Sequence, residues 1–144
     1  MNTMFENICE VICSGERVSL IDIKHDTRKL EILYPRQLIM YFAKEFKALS
    51  SDRLIGEQFG RDHATVISSH KAIQNYIDTD KVKREEIKKY TENLTGRKEI
   101  ITQVEALKKI LIILERQIGR AEQRMLILQL NVNELKSLIE KYNL

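Results

Sequence analysis

From Ile100 onward the chain carries one unbroken apolar seam. Ile100, Val104, Leu107, Leu111, Leu114, Ile118, Ala121, Met125, Leu128, Val132, Leu135, Ile139 and Tyr142 alternate at spacings of four and three residues. A repeat averaging 3.5 residues stays on one helix face only if helices wind left-handedly around each other, so the spacing predicts a coiled coil. With Ile100 at position d, four of the six a residues are β-branched and four of the seven d residues are Leu. That distribution favours a parallel two-stranded homo-oligomer. A helix of about 45 residues would run about 68 Å, too long for a small domain to cover. Ile110, Ile112, Ile113, Leu126, Ile127 and Leu130 widen the stripe beyond a two-stranded seam. They leave open a higher oligomer, docking onto the rest of the chain, or an intrachain helical hairpin breaking near Gly119.

The preceding residues read as a bundle of shorter helices. One Pro, five Gly and no Trp in 144 residues argue for helices over a sandwich or barrel. Phe5, Ile8, Cys9 and Ile12 recur at helical spacing, closed by Ser14-Gly15. Ser19 to Ile23 is a short second element, Lys24 to Leu33 a polar loop, and Pro35 opens a helix at its first turn. Leu38, Ile39, Phe42, Phe46 and Leu49 mark that helix's inner face. Ser50 and Ser51 are candidate N-caps for a brief helix carrying Leu54, Ile55 and Phe59. After the turn at Gly60-Arg61, Asp62 caps a helix whose inner face is Val66, Ile67, Ile73 and Ile77, with His70 at its edge. A polar linking helix over roughly 80–93 ends at Thr95-Gly96. The predicted fold is all-α, with a domain at 1–94 and a coiled-coil oligomerisation helix at 97–144.

Charge and cysteine content narrow the function. Residues 1–95 hold 15 basic and 15 acidic side chains and are neutral, so a nucleic-acid surface there must come from uneven placement. Cys9 and Cys13, one turn apart beside Ile8 and Ile12, read as two buried thiols; no further ligands have metal spacing, so no metal or cofactor is expected. There is no apolar run long enough for a membrane span and no basic-then-apolar leader. The expected location is the cytoplasm. The histidines sit in no catalytic constellation, and no enzyme is expected.

Two short helices joined by a tight Gly-containing turn form a helix-turn-helix candidate. The second begins Asp62-His63-Ala64-Thr65. His63 can meet a base edge, the Ala64 methyl a thymine methyl, Thr65 a phosphate, and Arg61 supplies a charge contact. The same residues read equally as a cap with a surface histidine.

Tyr34-Pro-Arg-Gln-Leu-Ile-Met-Tyr-Phe-Ala-Lys-Glu-Phe46, then Leu49-Ser50, Ile55-Gly56 and Phe59-Gly-Arg-Asp-His-Ala-Thr-Val66 resemble the C-terminal DNA-binding domain of the bacterial replication initiator DnaA. The resemblance covers roughly residues 4–94. It implies a Trp-repressor-like helix-turn-helix bundle, with Asp62, His63 and Ala64 as major-groove base readers. Thr65, Arg36, Gln37 and Lys44 match phosphate contacts, and Lys71 keeps one charge of a basic pair late in the reading helix. Counting back from Pro35 puts Arg28 at the family's minor-groove position, with Lys29 beside it. The family's paired glycine is here a single Gly60, one threonine has become Ala64, and a basic loop position is Leu30. No Gly-x-x-x-x-Gly-Lys-Ser/Thr phosphate loop occurs, so no nucleotide binding is expected.

The expected partners are therefore double-stranded DNA carrying initiator-type boxes and further copies of the chain. Such a protein would regulate replication or serve a phage or mobile element. The alternative is a structural or interaction protein whose coil recruits a partner while DNA binding is weak or vestigial.

Overall fold

A computed structural model describes residues 3–142. Every regular element among them is helical: α1 (Met4–Glu16), α2 (Leu20–Lys24), α3 (Leu30–Glu45), α4 (Asp52–Glu57), α5 (His63–Thr79) and α6 (Lys81–Tyr142). The chain divides into two compact units, Met1–Ile101 and Thr102–Leu144.

In the first unit the helix starts follow local chemistry. Thr3 opens α1 with a capping box: its Oγ1 accepts from Glu6 N–H at 3.2 Å, and Glu6 Oε2 accepts from Thr3 N–H at 2.9 Å. Ser19 caps α2, accepting from Asp22 N–H at 3.1 Å, which turns Ile23 into the core. α3 is the central element, packed by α1, α2, α4 and α5. Leu38, Ile39, Met40, Phe42 and Ala43 are accordingly buried nearly all round it. Burial of Ile87 and Leu94 adds the first turns of α6 to the same core.

Several boundaries differ from expectation. The Lys24–Leu33 loop shrinks, because α3 begins at Leu30 and Pro35 lies inside it. Ile32 and Leu33 N–H groups both donate to the Lys29 carbonyl, at 3.0 and 2.8 Å, so a full turn closes before the proline. Only the bond that residue 35 would have made back to Glu31 is lost. α1 runs past Gly15 to Glu16 and is capped by Arg17 with φ 56°. Thr95-Gly96 does not end a helix: α6 passes straight through it. Thr91 and Thr95 hydroxyls donate back to the Ile87 and Thr91 carbonyls, at 2.9 and 2.7 Å. A helical glycine costs only about 1 kcal/mol against alanine, too little to stop a helix with Leu94 anchored. Ile67, expected on the inner face of α5, is 37 % exposed. Cys9 is buried, and burial pushes its thiol up to about 12, but Cys13 is only half-buried.

In the second unit, residues 102–142 are helical throughout. Gly119 sits inside the helix, so the hairpin alternative gives way to one continuous helix. Its a and d side chains are open, from Val104 at 43 % to Met125 at 70 % exposure. Among the described residues no helix is long and apolar enough to cross a membrane.

Candidate nucleic-acid interface

α4, the turn after it and α5 form a helix-turn-helix whose tightness has an identifiable cause. Ser51 Oγ caps α4 by accepting from Leu54 N–H at 3.3 Å. The chain then folds back over Gly56, whose carbonyl accepts from Arg61 N–H at 2.9 Å. A Cβ on Gly56 would lie 2.6 Å from the Arg61 carbonyl oxygen, so only glycine allows this approach. Gly60 turns the chain with φ +62°. Asp62 then caps α5: its Oδ1 accepts from Thr65 N–H at 2.9 Å and from Thr65 Oγ1 at 2.8 Å. Those bonds, the backbone one first, hold the Asp62 carboxyl below its usual range.

This cap sets what the first turn of α5 presents. His63 and Ala64 are exposed, and Ile67, Ser68 and Lys71 continue the same exposed face at helical spacing. Asp62 is exposed as well, with one carboxylate oxygen committed to the cap. The half-buried Thr65 has spent its single hydroxyl proton on Asp62. To donate to a phosphate, it would have to rotate away from that bond.

The structure gives Arg36 a different role from the phosphate contact expected of it. It is 4 % exposed. Its Nε donates to the Ile23 carbonyl at 2.8 Å, Nη1 to that of Thr27 at 3.1 Å and Nη2 to that of His25 at 2.5 Å. One guanidinium thus clamps the α2–α3 loop from inside. That loop carries Arg28 and Lys29, both exposed. Its other anchor is an ion pair between Asp26 Oδ1 and Arg61 Nη2 at 2.8 Å. Arg36 and Arg61 therefore bring the expected minor-groove residues up against the turn that precedes α5.

Lys44 on α3 pairs with Asp52 of α4 at 3.1 Å, and Gln37 is half-buried two turns earlier. Two expected phosphate contacts, Arg61 and Lys44, thus each hold a carboxylate. Neither Asp26 nor Asp52 stood out in the sequence. The neutral charge of residues 1–95 was the one available signal, since fifteen cations there are matched by fifteen acids. Away from this face, Tyr41 stacks on His70 at 4.8 Å and His70 Nε2 lies 2.6 Å from Glu45 Oε1, fastening α3 to α5. Among the described residues no group of three or more metal-ligating side chains is placed to hold a metal ion.

Comparison with known proteins agrees with this geometry. Residues 5–73 match the family described as the bacterial dnaA protein helix-turn-helix. The chain is 37 % identical over 89 residues to the chromosomal replication initiator protein DnaA of Thermoanaerobacter sp. (strain X514), and equally to that of Thermoanaerobacter pseudethanolicus. The DnaA of Caldanaerobacter subterraneus subsp. tengcongensis matches to the same extent. In each case the alignment takes in 62 % of this chain and 20 % of the relative. The chain thus spans about a fifth of the length of the curated relatives it matches.

Proposed function

Residues 5–73 match the bacterial dnaA helix-turn-helix family, and from that likeness we propose that the protein binds double-stranded DNA specifically at initiator-type boxes. The observation that carries this reading is the capped first turn of α5, which exposes His63 and Ala64 beside Asp62. In a major groove the Asp62 Oδ2 would accept from a base amino group, His63 would meet a base edge, and the Ala64 methyl would touch a thymine methyl. Arg61, Lys44, Gln37 and Lys71, with Thr65 once its hydroxyl has turned, supply backbone contacts that fix register. Arg28 and Lys29 on the clamped loop reach for the minor groove. Arg36 belongs with the scaffold that sets that loop.

The second unit supplies copy number. Its exposed heptad seam is far larger than the scattered apolar side chains of a monomer surface. Pairing through Val104, Leu107, Leu111, Leu114, Ile118, Met125, Leu128, Val132, Leu135 and Ile139 would join readers in a parallel coil. Two tethered readers gain affinity through effective concentration without any new DNA contact. A protein of this kind would act at replication origins as a regulator, or for a phage or mobile element, from the nucleoid.

The test is fluorescence anisotropy with a duplex carrying an initiator-type box and a scrambled duplex of equal length at near-physiological salt. Tighter binding to the box supports specific reading, and equal affinities sink it. One observation favours a second reading. The exact charge balance of residues 1–95 suits an interaction protein whose coil recruits a partner, and such a protein would bind neither duplex appreciably.

A further inference from the structure

The ion pairs that hold Arg61 and Lys44 are the least expected feature of a DNA-facing surface. Asp26 presents its Oδ1 to Arg61 Nη2 at 2.8 Å although Asp26 itself is 90 % exposed. Asp52 presents its Oδ2 to Lys44 Nζ at 3.1 Å. Each acid ties two elements together, Asp26 its loop to Arg61 and Asp52 the first turn of α4 to Lys44, but neither pair is the sole fastening at its place. The loop bearing Asp26 is already clamped by three bonds from Arg36, and α4 is capped by Ser51 instead of Asp52. A carboxylate and a phosphate oxygen offer a guanidinium or ammonium the same charge-assisted bond. At Arg61 Nη2 and Lys44 Nζ the two carboxylates take up donors that a phosphate oxygen would also use.

We propose that Asp26 and Asp52 are built-in competitors of the DNA backbone, and that binding exchanges each carboxylate for a phosphate. This rests on the DNA-binding reading above and adds to it which residues limit affinity. Phosphate contacts are alike on every sequence. A protein that must give up an internal partner at each one loses affinity for all DNA equally, so its binding leans on the base contacts of α5. The neutral charge of residues 1–95 is then a way of suppressing sequence-independent binding. No bond is made or broken covalently, and the exchange is one of ion pairs.

The test uses the full chain with the same two duplexes, comparing the parent with Asp26→Asn, Asp52→Asn and the double variant. Exposed ion pairs are worth about 0.2–1 kcal/mol, so each substitution should tighten binding to both duplexes by about 1.5- to 5-fold. The double variant should approach the product of the two, and the gain should shrink as salt screens the pairs. Asp26→Glu keeps the charge and should bind like the parent. The deciding comparison is Asp26→Asn in an Arg61→Ala background, where the gain should vanish because no cation is left to release. A gain that persists there reflects only a lost negative charge near DNA and overturns the exchange. Binding by the parent that Asp26→Asn leaves unchanged or weakens also overturns it, while leaving the DNA-binding reading in place. Failure of every variant to bind either duplex overturns both.

Discussion

The Tyr90 hydroxyl of α6 occupies the space into which a Cβ on Gly15 of α1 would project. The two helices meet where glycine alone fits, and the same hydroxyl donates to Glu16 Oε1 at 2.9 Å. In Gly15→Ala overpacking should cost about 1–3 kcal/mol, offset by about 0.8–1 kcal/mol of helix propensity, for a net loss of up to about 2 kcal/mol read as a fall in thermal midpoint. Gly119→Ala should do the opposite. Nothing lies within 4 Å of that position, and replacing a helical glycine by alanine contributes about 0.8–1 kcal/mol. A loss of helicity in Gly119→Ala would instead show a turn at that residue.

Glu16 confers a pH dependence. Burial first, then the neighbouring Glu86, raises its carboxyl from 4.5 to about 7. Between those values the folded chain holds a proton that the unfolded chain has lost. The group's stabilising contribution is thus full below about 4.5 and disappears as pH rises through about 7. Thermal melts across that window should show the parent losing stability relative to Glu16→Gln. Because the site is partly open to solvent, the difference should be on the order of 1 kcal/mol. Parallel curves for the two proteins would remove Glu16 as the cause.

Arg36→Ala leaves the Ile23, His25 and Thr27 carbonyls without their donor. Bonds to a charged donor contribute about 1.5–3 kcal/mol each, though not additively, so a loss of about 2–4 kcal/mol is expected. Arg36→Lys should recover only part of it, because an ammonium cannot reproduce the planar fork. Amide hydrogen exchange should speed up in residues 24–29 before it does elsewhere. If both variants are as stable as the parent, the clamp is not holding the loop.

Helix periodicity and capping made most of the first unit legible, because those signals are local. The Asp62 cap, the Ser51 cap and the turn around Gly60 all follow from neighbours within a few residues. What escaped is tertiary. Arg36 meets carbonyls nine to thirteen residues away, and nothing around Pro35-Arg36-Gln37 indicates that its guanidinium turns inward. Asp26 and Arg61 are thirty-five residues apart. Ile67 continues an apolar pattern but falls on the outer face of α5. At Thr95-Gly96 a local breaker signal was outweighed by the packing of Leu94. The seam itself was plain in the sequence, but the continuity of its helix through Gly119 was not.

The coil can be probed through copy number. Sedimentation equilibrium of the full chain should give a mass of at least two chains, and Leu111→Asp with Ile118→Asp should reduce it to one, since both would bury a charge in the seam. A monomeric parent would leave the apolar stripe to some other occupant.

The most direct measurement compares box and scrambled duplexes for the parent and for His63→Ala side by side, at one near-physiological salt concentration. Good base-edge contacts contribute about 1–3 kcal/mol of discrimination. The parent should prefer the box, and His63→Ala should lose about 5-fold or more of that preference with little change in its affinity for the scrambled duplex. An unchanged preference in His63→Ala, or a parent that binds both duplexes equally, would contradict the assignment of α5 as the reading helix.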